Sequence, residues 1–157
     1  MEHIWKDDAF CEAVRELKPA AFAVAWVLLH NNADCEDAMS AAILKAYEKR
    51  GFLRSGRSFR AWFLRILRNE AYNILRQRSR TVSLEGMEDR AAVQTAPDPA
   101  LSEALLKLPE AQRIALVLQC RGYSAEETAR ILRIPVGTVK SRLSRAKNTL
   151  RNDLKGD

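Results

Sequence analysis

Apolar residues recur at helical spacing through two parts of the chain, and that order fails between them. The first part reads as three helices. One runs from about Asp8 to Leu29, with Pro19 the place for a bend, and His30-Asn31-Asn32 ends it. Asp34 is the expected N-cap of a second helix, which continues to about Arg50 and stops at Gly51. Ala38, Ala41, Ala42 and Ala46 give that helix a small, easily packed face. A polar loop, Arg54-Ser55-Gly56-Arg57, follows. Ser58 can then cap a third helix, from Phe59 to about Arg78, whose stripe is Trp62, Phe63, Ile66, Leu67 and Ile74. On that apolar stripe, Trp62 reads as core rather than as a stacking platform.

From Thr81 to Pro99 the periodicity disappears. Gly86, Pro97, Pro99 and four acids mark this stretch as a flexible linker. Beyond it, one helix covers about Ala100–Lys107. Pro109 suits the first turn of the next, which runs to about Arg121 and is closed by Gly122. Ser124 with Glu127 forms a capping box for a short helix, Ala125–Leu132. Arg133-Ile134-Pro135 makes a turn, and the last helix extends from about Val136 to Leu154.

On that last helix Val139, Leu143, Ala146 and Leu150 fall on one face. The other side carries Lys140, Ser141, Ser144, Arg145, Lys147, Asn148 and Arg151. Ala129 is small where two helices must approach closely. A short helix, a three-residue turn and a basic amphipathic helix form the arrangement that lays a second helix in the major groove of duplex DNA.

Charge adds a second footprint. The chain has 157 residues and net charge +6. Residues 1–50 are net −3, 51–80 net +7, 81–110 net −4 and 111–157 net +6. The block at 51–80 holds 8 Arg against the single acid Glu70. Two basic blocks on helical segments, split by an acidic stretch, point to two contacts with a polyanion. The few glycines and prolines, with abundant Ala, Leu, Arg and Glu, favour an all-α fold of two small domains, residues 1–80 and 100–157, joined by the linker 81–99. The longest apolar stretch, Ala20–Leu29, is about half of what spans a bilayer, and no secretory leader is evident, so a cytoplasmic protein without membrane insertion is expected. Cys11, Cys35 and Cys120 are far apart and odd in number; they read as buried apolar thiols, not as a disulfide or zinc framework. No paired carboxylates accompany a suitable histidine and no P-loop appears, so no enzyme, metal or cofactor is expected.

Several runs resemble the extracytoplasmic-function (ECF, group 4) sigma factors of bacterial RNA polymerase. In the second half these are Leu108-Pro109-Glu110 with Gln112-Arg113, Gly122-Tyr123-Ser124, and Ile134 through Leu143 followed by Arg145-Ala146. In the first half they are Asp34-Cys35-Glu36-Asp37-Ala38 with Leu44-Lys45-Ala46-Tyr47, and Ser58-Phe59-Arg60-Ala61-Trp62-Phe63 with Ile66, Arg68-Asn69 and Ala71. The resemblance implies two modules, sigma regions 2 and 4, that bind core RNA polymerase and promoter DNA. It implies that Lys140, Ser141, Arg142 and Arg145, with Thr138 near the backbone, read the −35 duplex. Residues 51–58, with Asn69 and Asn73, would hold a flipped base of the melted −10 element, and Arg54, Arg57, Arg60, Arg65, Arg68 and Arg76 would track its phosphates. Asp37, Ser40, Ala41, Leu44 and Lys45 fall on the helix that docks on polymerase; Ser40 and Ala41 stand where relatives often carry Gln-Glu. An anti-sigma factor is the implied regulator, and the free chain is expected to be a monomer. The rival is a helix-turn-helix transcriptional regulator that binds its operator, as a dimer, without polymerase.

Overall fold

The computed structural model describes residues 6–53, 59–81 and 99–155. Seven α-helices and a 3₁₀ turn, with no strand, make up the ordered structure among these residues. The chain divides into two compact units, Met1–Gly86 and Met87–Asp157. The expected linker loses its end residues to helices at Thr81 and Pro99; the rest of it lies outside the described residues.

The N-terminal unit packs α1 (Asp7–Leu29), α2 (Asn32–Lys49) and α3 (Phe59–Thr81), each against the other two. The middle helix contributes Cys35, Ala38, Ala42 and Ala46, all without exposed surface. Their spacing of three and four residues makes one small-residue seam, so the flanking helices approach closely. Phe10, Val14, Leu17, Val24 and Leu28 of α1 and Phe63, Leu64 and Leu67 of α3 are buried with it in the same three-helix unit. Phe59, Leu64 and Ala71 belong to the α3 core although the expected stripe omitted them, whereas Trp62, Ile66 and Ile74 are only half-buried.

Pro19 lies inside α1, which continues as one helix through it. The ring is exposed, so the loss is one backbone hydrogen bond on the solvent side. His30 closes α1 in the left-handed region (φ 60°), its N–H donating to the Trp26 carbonyl at 2.9 Å. Asp34 is not the cap of α2. The cap is Asn31, whose Oδ1 accepts from the Asp34 N–H at 2.8 Å, while its Nδ2 donates to the Asp34 carboxylate at 3.0 Å. The Asp34 carboxylate also pairs with Arg78. Gly51 does not end the helix abruptly; Arg50–Phe52 form a 3₁₀ turn beyond Lys49. The Ser58 cap lies outside the described residues.

Only Cys35 is buried; Cys11 and Cys120 are exposed, against the expectation for all three. Burial pushes the Cys35 thiol up from 9.0 to about 11. Two thiols should therefore react rapidly with a maleimide at pH 8, and Cys35 only after denaturation. Three equally fast thiols in the native protein would contradict this packing. Because the folded state holds the Cys35 proton more tightly, its contribution to stability is complete below pH 9.0 and is lost as pH rises towards about 11.

The C-terminal unit contains α4 (Pro99–Lys107), α5 (Glu110–Cys120), α6 (Ala125–Leu132) and α7 (Val136–Lys155). Pro109 stands one position earlier than expected, as the N-cap of α5. Gly122 (φ 90°) turns the chain after α5; its N–H donates to Gln119 at 3.0 Å and that of Tyr123 to Leu118 at 3.0 Å. These two bonds form a Schellman closure, which needs the left-handed residue that glycine supplies. Both halves of the Ser124–Glu127 capping box are present, at 3.1 and 3.4 Å. Leu108, Ala115, Leu116, Ala129, Val139, Leu143 and Ala146 form the core, with Leu150 packed on its edge.

The turn between α6 and α7 puts a side chain where glycine is usual. Arg133 has φ 56°, and the following Ile134 N–H donates to Ala129 at 3.1 Å. Left-handed backbone costs a non-glycine residue about 1–2 kcal/mol. Arg133 is exposed and loses no packing on replacement. Arg133→Gly should stabilise the C-terminal unit by about 0.5–1 kcal/mol, read as a higher urea midpoint with unchanged slope. An equal or lower midpoint would contradict the strain.

Candidate nucleic-acid interface

The buried seam of α7 fixes which side chains face outward. Val139 and Ala146 have no exposed surface and Leu143 very little. Thr138, Ser141 and Arg145 follow at spacings of three and four and share one flank with Arg142 beside them. Ser141 and Arg145 are exposed; Thr138 and Arg142 are half-buried. Lys140, Ser144, Lys147 and Arg151 recur at four, three and four along the opposite flank, all exposed. Lys140 is thus separated from the other four expected readers. The helix has no acid in its first turn, which leaves its positive N-terminal dipole available to a phosphate.

On α3 the outward face is Trp62, Arg65, Asn69, Asn73, Arg76 and Arg80, again at spacings of three and four. Four of the expected melted-strand residues, Arg65, Asn69, Asn73 and Arg76, come together on it. Arg60 and Arg68 fall off this line, and Arg68 lies over the Tyr72 ring at 5.6 Å. Arg54 and Arg57 lie outside the described residues. Arg76 donates to the Asn73 side-chain oxygen, and the Arg65 Nε donates to the Ala61 carbonyl at 3.3 Å. Trp62 is half-buried with its ring 5.9 Å from Phe59, so it borders this face instead of filling the core.

The basic block of the sequence contains a residue of another kind. Arg78 points back into the bundle, pairing with Asp34 and donating to the Leu29 carbonyl at 3.3 Å. It joins the end of α1, the start of α2 and the end of α3.

Asp37, Ser40 and Leu44 are exposed on the outward side of α2, and Leu44 presents 59% of its surface. Lys45, grouped with them in the sequence, pairs with the nearly buried Glu70 of α3. Asp37 and Ala41 line a groove of about 460 Å³ together with Glu70, Asn73, Arg76 and Arg80. Residues expected to serve polymerase and residues expected to serve DNA therefore meet in one cleft. Arg80 was missed by the sequence reading, because it lay past the expected helix end. Phe52, which is 83% exposed, falls in the 51–58 stretch expected to hold a base.

Comparison with known proteins adds to this geometry. Residues 13–81 match the model of Sigma-70 region 2, and residues 99–150 that of Sigma-70, region 4. The chain is 35% identical over 149 residues to the ECF RNA polymerase sigma factor SigM of Mycobacterium tuberculosis, covering 90% of this chain and 75% of that protein. It is similar to the sigma factor RpoE of Bartonella quintana, solved in complex with the anti-sigma factor NepR. There the TM-score is 0.76 and the identity 32%, over 94% of this chain and 98% of that one. It is also similar to CnrH in complex with the cytosolic domain of CnrY, with TM-score 0.74 and 25% identity over 97% and 91% of the two chains.

Proposed function

The chain belongs to the ECF RNA polymerase sigma factors, and from that premise we propose how its two units divide promoter recognition. It is a non-enzymatic initiation factor that binds core RNA polymerase and directs transcription from specific promoters. The N-terminal unit, residues 1–80, docks on polymerase through Asp37, Ser40, Ala41 and Leu44 of α2. It receives the melted −10 strand on the outer face of α3. The C-terminal unit, residues 100–157, reads the −35 duplex with α7, and residues 81–99 link the two.

The observation that carries this reading is that each unit sets a separate polar, basic helix face on a fully buried apolar seam. A simple operator-binding regulator needs only the second. Asn69 and Asn73 supply edge hydrogen bonds that offset the few kcal/mol of unstacking a base. Arg65 and Arg76 supply charge beside them. Lys45 is reassigned from the polymerase contact to holding Glu70. RpoE and CnrH are seen with anti-sigma partners, and the same kind of regulator fits this chain. No helix among the described residues is long and apolar enough to cross a membrane, and the place of action proposed is the cytoplasm, with polymerase.

Run-off transcription from a promoter library, with purified core polymerase and the full chain, tests this. The expected result is initiation from templates sharing two elements, at −35 and −10. Tight operator binding by the free chain with no polymerase-dependent initiation would overturn it.

A further inference from the structure

We propose that Arg133, in the turn between α6 and α7, grips a backbone phosphate of the −35 duplex. The inference rests on α7 being the duplex reader and adds a contact that lies outside that helix.

Arg133 is a strained residue on a firmly held backbone. It closes α6 at φ 56° and ψ 48°, a conformation that only glycine adopts without strain. The next residue is anchored twice. The Ile134 N–H donates to the Ala129 carbonyl at 3.1 Å, and the Ile134 side chain packs against the core of the unit. The Pro135 carbonyl then accepts from the Thr138 and Val139 N–H groups at 3.0 and 3.2 Å, so α7 winds directly from Pro135. The Arg133 side chain is exposed, and it pairs with no group among the described residues. Its side chain therefore stabilises nothing inside the unit. A side chain kept at a strained position without a partner in the fold points to a partner outside it.

The position makes that partner a phosphate. In a helix-turn-helix the first helix crosses the DNA backbone and the N-terminal residues of the second reach the base edges. The turn between them passes over a phosphate strand at the rim of the groove, where contacts fix register and do not read sequence. Two peptide steps separate Arg133 from Pro135, which keeps its Cα within about 7.6 Å of the start of α7. Arg130, also exposed, lies one turn back on α6. From Thr128 to Asn152 the chain carries seven basic residues and no acid, so no neighbour in sequence competes for the guanidinium. Its planar fork suits two phosphate oxygens.

Holoenzyme assembled from core polymerase and the full chain is titrated against duplex probes with a matched or a scrambled −35 element, at about 50–200 mM salt. Arg133→Gly should weaken binding to the matched probe roughly 3- to 10-fold at the low-salt end, with a salt slope shallower by about 0.9. Over that fourfold range of salt the wild-type advantage should shrink about 3-fold. Arg133→Gln keeps the strain and removes the charge, and should bind like the glycine variant. Arg133→Lys should keep the wild-type slope. The ratio of matched to scrambled affinity, and affinity for core polymerase, should be the same in all. Since Arg133→Gly also relieves the strain, binding should fall while the urea midpoint rises, a combination that a purely structural residue would not give. A glycine or glutamine variant with wild-type affinity and slope overturns the proposal. So does loss of initiation without loss of duplex affinity, which would make Arg133 a protein contact. Wild-type holoenzyme that does not distinguish the matched from the scrambled probe would instead sink the −35 reading, and the proposal with it.

Discussion

Arg76→Ala and Arg78→Ala, two residues apart on α3, are expected to have opposite consequences. Arg78→Ala should destabilise the N-terminal unit by about 2 kcal/mol. Removing one partner of a buried ion pair costs about 3–5 kcal/mol, because the other charge is left unpaired. Here the Arg78 and Asp34 side chains keep 39% and 19% of their surface, so solvent offsets part of that loss. The Leu29 carbonyl also loses a donor. The urea midpoint should fall by about 1 M, given a slope of about 1–3 kcal/mol/M. Arg76→Ala removes an exposed side chain that hydrogen-bonds to Asn73, a neighbour on its own helix. Its stability should change by less than about 0.5 kcal/mol. Its cost should appear in DNA binding by the holoenzyme, as a salt dependence shallower by about one ion. A destabilised Arg76 variant, or an Arg78 variant that melts like wild type, would reverse the two assignments.

That contrast marks what the sequence could and could not say. Spacing alone separates Val139, Leu143 and Ala146 from the polar side of α7, because a helix on a small core has one way to bury its stripe. The Ser124–Glu127 box was legible because both partners lie within one turn. Arg78 was not legible as structural. Its partners are 44 and 49 residues earlier, and a charge run gives no hint of which member turns inward. The Lys45–Glu70 pair was not legible for the same reason, since Glu70 is on another helix. Asp34 was mistaken for a cap because Asn31, three residues earlier, offers the same chemistry and reaches the Asp34 N–H first. Leu64 and Ala71 were missed because α3 is buried on two sides, against α1 and against α2, and a single stripe underestimates such a face.

Arg145→Ala should reduce initiation roughly 5- to 150-fold at promoters carrying the matched −35 element. The figure follows from the 1–3 kcal/mol that a good bidentate guanine contact contributes to discrimination. Arg145 is exposed one turn beyond Ser141, and the Leu143 and Ala146 that bracket it are buried, so the helix backbone is held while the guanidinium reaches out. Two controls separate reading from general attraction. Arg145→Lys keeps the charge but not the planar fork, and should recover only part of the loss. Lys147→Ala, on the opposite flank, should weaken all promoters alike and chiefly lower the salt slope. On templates whose −35 element has been scrambled, the Arg145 variant and the wild type should initiate equally poorly. If Arg145→Lys were as active as wild type, or the loss persisted unchanged on scrambled templates, Arg145 would be a phosphate contact. Sequence reading would then fall to Ser141 and Arg142 on the same flank.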